Sequence, residues 1–136
     1  MTQLLHASKE QMQSWRRHLH QHPETEFSVF DTAAFVVQKL TEFGLVVYEG
    51  VGQIGIVGQL TKGSSNKAIG LRADMDALAI QELNEFSHKS LNDGRMHACG
   101  HDGHTSMLLG AAQELAECGE FDGTVYFIFQ PDEEHG

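Results

Sequence analysis

The sequence has 136 residues, 40% hydrophobic and 21% charged, proportions that suit one globular domain with its own core and argue against a disordered or fibrous chain. Nine Lys and Arg against nineteen Asp and Glu leave a formal charge of -10, a field that repels phosphate backbones and anionic lipid, so nucleic acid and membrane partners are not expected. No segment approaches the roughly 20 apolar residues that span a bilayer, and no basic stretch followed by an apolar run opens the chain, which points to the cytoplasm.

In chain order, Ser8 followed by Gln11 forms a capping box, and Met12, Trp15 and Leu19 give a first helix through His20 that Pro23 stops. Ser28 and Asp31 repeat the capping pattern. Phe30, Ala33, Ala34, Val37, Leu40 and Phe43 then form the stripe of a second helix ending at Gly44, a natural left-handed cap. LVVYEGV, GQIGIVGQL and KAIGLRADMDAL read as three strands, the last nearly unbroken in apolar character, as in a sheet covered on both faces. Residues 81–95 lack periodicity and read as a surface loop. Met107, Leu108, Ala111, Ala112 and Leu115 restore helical period up to Gly119, and GTVYFIFQP is a last buried strand. The order helix, helix, three strands, helix, strand implies an α/β sheet whose ligands bind at the carboxyl ends of strands, where RADMD and QPDEE both fall.

Chemistry concentrates in a few short stretches. Cys99 and His101 offer a thiolate and an imidazole to a borderline-soft divalent metal, and the intervening Gly100 lets a loop aim both at one point. Glu133 and Glu134 follow a hydrophobic strand and Pro131; adjacent carboxylates repel unless a cation or proton stabilises them, so one suits a metal and the other a proton. Metal-assisted hydrolysis needs that division, a metal to polarise a carbonyl and acidify water and a carboxylate to take the water's proton. Asp74 and Asp76 flank Met75 at a strand end where alternate side chains share a face. Asp74 is the expected carboxylate partner of the ligating histidine, and a strand-end capping role stays open for both. Asp102 is placed to meet the positive end of the following helix, and His97 and His104 read as residues that orient the turn. His18, His20 and His22 lie at i,i+2 spacing near a helix end and read as packing and charge complementation rather than metal ligands. A disulfide between Cys99 and Cys118 is not expected.

The stretches RRHLHQHPETEF, LRADMDALAI, MHACGHDGHTSMLLGAA and FIFQPDEEHG resemble, in order, the motifs of the M20 metallopeptidase family, and most closely its aminoacylase, hippurate hydrolase and IAA-amino acid hydrolase subfamily. The resemblance extends from about Arg16 to Gly136. It implies a three-layer α/β/α zinc-exopeptidase-like sheet covered by helices and incomplete relative to the family, with residues 1–136 as the N-terminal part of a metal-binding catalytic domain. It makes Cys99, His101 and Glu134 metal ligands and Glu133 the base that activates water, with Asp74 in the catalytic set.

The same resemblance implies a parent enzyme that hydrolyses the amide bond of small N-acyl amino acids with two divalent ions, zinc or manganese, with cobalt or nickel also compatible. It further implies additional histidine ligands and a lid domain used for a homodimer, neither of which these residues contain, so the chain alone is expected to be inactive. A noncatalytic metal-binding or interaction fragment, with an exposed sheet edge or apolar face, is the alternative reading. Three departures stand out: Ala79 in place of the family's usual Pro, and Asp132 and His135 in place of small residues, with His135 offering a substitute ligand.

Overall fold

The computed structural model describes residues 9–136, so the expected cap at Ser8 lies outside the described residues. Helix α1 runs Lys9–Gln21 and α2 runs Phe30–Glu42. Strands β1 (Val46–Val51), β2 (Gly55–Lys62) and β3 (Ala68–Asp74) follow, then α3 (His101–Glu117) and β4 (Gly123–Gln130). The order of elements is the one expected from the sequence. Helix α3 starts six residues before its apolar stripe, so the HDGHT stretch opens the helix rather than forming a preceding loop.

The strands form one mixed sheet in the order β1-β2-β4-β3, antiparallel except for the parallel β3–β4 pair. Alternation along β4 sends Val125, Phe127 and Phe129 to one face, where they meet Ile56 and Leu60 of β2 and Leu71 and Ala73 of β3. Helices α2 and α3 pack on that face and α1 lies against α3, so Trp15, Val36, Leu40, Leu108, Leu109 and Ala112 complete a single core. The opposite face carries half-buried Val57, Tyr126 and Ile128 with polar Gln59, Thr61 and Thr124. The mixed α/β class is as the sequence implied. Of its three layers the described residues build two, the sheet and one layer of helices. Strand β3, expected to be buried on both faces, is an edge strand and largely exposed until Ala73, because among the described residues it has a neighbour on one side only.

Local details differ from the expected capping. No side chain caps α2 at its N-cap, Val29. Glu24 does the work instead: one carboxylate oxygen accepts the Asp31 N–H at 3.1 Å and the other accepts the Thr32 N–H and hydroxyl, both at 2.7 Å. A carboxylate at a helix N-terminus satisfies orphan donors and complements the dipole, and the PETEF turn delivers it. The buried stripe of α2 is Thr32, Ala33, Val36 and Leu40, so Phe30 and Ala34 face solvent, contrary to the expected pattern. Gly44 closes the helix at φ +81°, as its position suggested. At the far end of α3, the Lys62 ammonium donates to the carbonyls of Leu115, Ala116 and Gly119, which fastens β2 to the helix C-terminus. No helix of the described residues is long and apolar enough to cross a membrane.

Candidate metal centre

Strands β3 and β4 are parallel neighbours with Asp74 opposite Gln130, so both deliver their carboxyl ends to one edge of the sheet. The segment 131–134 leaves β4 beside residues 75–76, which leave β3, and Met75 N–H donates to the Gln130 carbonyl at 2.9 Å. The N-terminus of α3 closes the third side. There Gly100 sits at φ +92° as the N-cap, a conformation that costs a residue with a Cβ even though open space surrounds it. Its carbonyl accepts the N–H groups of Gly103 and His104, starting the helix immediately after Cys99.

This arrangement brings Cys99, His101 and Glu134 together: one ligand atom from each lies within 4.8 Å of the others. His101 is buried, with Nε2 3.5 Å from Glu134 Oε1 and 3.7 Å from Glu133 Oε2. Glu134 Oε1 is buried and has no hydrogen-bond partner among the described residues. The Cys99 thiol is pushed up from its ordinary pKa by its hydrogen bond to Glu134, by burial and by the surrounding carboxylates. A thiol, an imidazole nitrogen and an unsatisfied carboxylate oxygen converging on one point form a donor set that a divalent cation fits, and its charge would relieve both the orphaned oxygen and the thiol.

The carboxylate hydrogen-bonded to the His101 ring is Asp76, where Asp74 was expected. Asp76 is almost wholly buried; Oδ1 takes His101 Nδ1 at 3.2 Å and Oδ2 accepts the Glu134 N–H at 3.1 Å. It therefore leaves Nε2 of His101 facing the cluster and fixes the backbone of Glu134. Asp74 is engaged elsewhere, with His104 Nδ1 at 2.7 Å on Oδ1 and Arg72 Nη1 at 3.0 Å on Oδ2. Burial raises the Asp74 carboxyl, but the His104 hydrogen bond and the charges of His101, His104 and Arg72 outweigh it and hold the pKa below its usual value. The strand stops at Asp74, and strict alternation could not tell which aspartate would reach the ring once the chain had turned.

Asp74 Oδ1 lies 3.5 Å from His101 Nε2, and Asp74, His101 and His104 form a second group of potential ligands that shares His101 with the first. His135 joins neither: its Nδ1 bonds Asp132 at 2.7 Å and the side chain is exposed, so the expected substitute ligand is not formed in this structure. His97 is buried with both ring nitrogens unpartnered among the described residues, and burial lowers its pKa to about 4, so the ring is neutral near pH 7. Cys99 and Cys118 are unpaired. The His18 and His22 rings lie tilted against each other with centroids 4.8 Å apart, while His20 turns inward to Asp102 and Glu82.

Residues 70–136, which include every member of the cluster, match the model of Peptidase family M20/M25/M40. The chain is 53% identical over 119 residues to hippurate hydrolase of Campylobacter jejuni, which covers 88% of this chain and 31% of that protein. It is 44% identical over 122 residues to an N-acyl-L-amino acid amidohydrolase of Geobacillus stearothermophilus, covering 89% of this chain and 33% of the relative. The chain thus spans about a third of the length of the curated relatives it matches. Among solved structures, the YXEP protein of Bacillus subtilis, described as a dinuclear metal binding peptidase from the M20 family, superposes with a TM-score of 0.87 at 38% identity, covering 92% of this chain and 35% of that one. Sequence match and superposition agree over the same strand ends and helix start, and the chain belongs to peptidase family M20/M25/M40.

Proposed function

We propose that the protein is a metal-dependent hydrolase cleaving the amide bond of small N-acyl amino acids, with these residues forming the N-terminal part of its metal-binding catalytic domain. The observation that carries the reading is the convergence of Cys99, His101 and Glu134 with Glu133 beside them. Named relatives that act on hippurate and on N-acyl amino acids support the substrate class. Zinc or manganese suits the mixed sulfur, nitrogen and oxygen donors, and two unpaired cysteines fit a reducing cytoplasm.

In this reading Cys99, His101 and Glu134 hold the cation. A bound divalent cation supplies the positive charge that polarises an amide carbonyl and acidifies water. Glu133, at the open side of the cluster, takes a proton from the attacking water and returns it to the departing amine. Asp76 holds the His101 ring and the Glu134 backbone in place. Asp74 anchors His104 and Arg72 at the rim.

The test is metal content and hydrolysis of benzoyl- and acetyl-amino acids by the purified parent enzyme, beside its Cys99→Ala and Glu134→Ala variants. Roughly stoichiometric metal, lost in both variants together with hydrolysis, is the expected result. Metal retained in both would remove the assignment. A milder change checks the orienting carboxylate: Asp76→Asn keeps the shape but offers one acceptor oxygen where two are used. Metal affinity, measured by chelator competition, is expected to fall about 10–100-fold.

A further inference from the structure

A second buried polar cluster lies behind the metal centre, on the side of α3 facing α1. His20, on the buried face of α1, places Nδ1 2.8 Å from Asp102 Oδ2 and Nε2 3.1 Å from Glu82 Oε1. The two ring nitrogens thus meet two carboxylates from opposite edges of one imidazole. Asp102 is almost fully buried and follows His101 directly; Oδ1 accepts the Gly103 N–H, and Arg16 Nε donates to Oδ2, the oxygen that meets His20, at 3.4 Å. Glu82 is buried in the middle of the long connection between β3 and α3, where it also accepts from Asn84 Nδ2 at 2.9 Å and from the Ser90 N–H. Burial raises the Glu82 carboxyl, and the bonds from Asn84, Ser90 and His20 overcome it and lower its pKa.

The connection is long and the last part of it bears a ligand. Its backbone is tied to Leu78 at Met96, after which Cys99 and Gly100 run to α3 with Cys99 exposed. The position of the Cys99–His101 turn is therefore set from its two flanks, Met96 on one side and Asp102 on the other. Asp102 is held by His20, and the same ring holds the loop through Glu82. A rigid ring with donors on opposite edges can span two carboxylates; a Gln side chain, with both N–H groups on one nitrogen, cannot.

We infer that His20, Asp102 and Glu82 form a positioning device that fixes the Cys99–His101 turn in the geometry that binds metal, by clamping the connection and the first turn of α3 to α1. The inference rests on the metal centre proposed above. None of the three residues touches the cation; they act through the backbone of the ligand turn. Second-sphere groups of this kind typically change metal affinity by about 10–100-fold when removed.

Cobalt(II) titration tests this, because the visible spectrum reports coordination geometry and the thiolate-to-cobalt charge-transfer band reports Cys99. His20→Gln and Glu82→Gln are each compared with the unaltered protein and with Val125→Ala, a core change near the start of β4, at the opposite end of that strand from the Glu133–Glu134 pair, that lowers stability. The expected result is cobalt affinity about 10–100-fold weaker in His20→Gln and Glu82→Gln, with a reduced charge-transfer band. Val125→Ala should melt earlier than the unaltered protein yet keep its cobalt affinity and spectrum. Wild-type affinity and an unchanged band in both cluster variants would overturn the inference, as would an equal loss of affinity in Val125→Ala, which would show that stability alone is responsible. Should His20→Gln fail to fold, the isosteric Glu82→Gln decides by itself. A failure of the unaltered protein to take up cobalt would overturn the metal reading itself, a result distinct from any difference among variants.

Discussion

Replacing Glu133 with Gln is expected to lower amide hydrolysis by about 10²–10⁴-fold, the range lost when a positioned general base is removed, while metal content stays unchanged. The two adjacent carboxylates are not equivalent. The Glu134 side chain is 17% exposed, and its Oε1, buried without a protein partner among the described residues, lies in the ligand cluster. The Glu133 side chain is 40% exposed and 3.7 Å from the same His101 nitrogen, so it stands at the open side of the cluster. An amide of the same shape cannot accept the water's proton, so turnover falls while the neighbouring ligand stays intact. Steady-state rates and metal analysis on one preparation check this. If Glu133→Gln instead strips the metal and Glu134→Gln keeps it with lost turnover, the two roles are exchanged.

The second large effect is on stability. Phe127→Ala is expected to cost about 3–5 kcal/mol, measured as a lower urea midpoint at unchanged slope. Phe127 is fully buried at the middle of β4, the strand flanked by β2 and β3, opposite Gly58 and Leu71. The cavity left by the ring would lie at the centre of the helix-facing core, where close-packed neighbours relax only partly. Ile128→Ala, one residue on but on the other, half-buried face, should cost clearly less. Equal costs for the two would mean that both faces of the sheet are packed in the protein, and would overturn the one-sided core described for these residues.

The stability and site predictions are linked through the same strand ends. β4 carries Phe127 and Phe129 in the core and then, past Gln130, the Glu133–Glu134 pair, so core packing places the carboxylates. Register between parallel β3 and β4 sets Asp76 where it can receive both His101 and the Glu134 N–H.

Much of this was legible in the residues themselves. The periodicities of α1, α2 and α3 and the apolar runs of the strands prescribed the order of elements, because side-chain spacing follows backbone geometry. Cys99 and His101 pointed to a candidate ligand turn by donor chemistry, with Gly100 free to adopt its backbone angle, and the Glu pair suggested a cation by electrostatic repulsion; the fold brings Cys99, His101 and Glu134 together. What spacing could not supply were contacts between segments distant along the chain. Glu24, not the nearby Ser28, caps α2; Asp76, not Asp74, holds His101; and His20, 82 residues from Asp102, reaches the first turn of α3. Local pattern specifies which face a side chain leaves by, but which partner waits there depends on how strands, helices and the long connection pack against one another, and only the folded chain decides that.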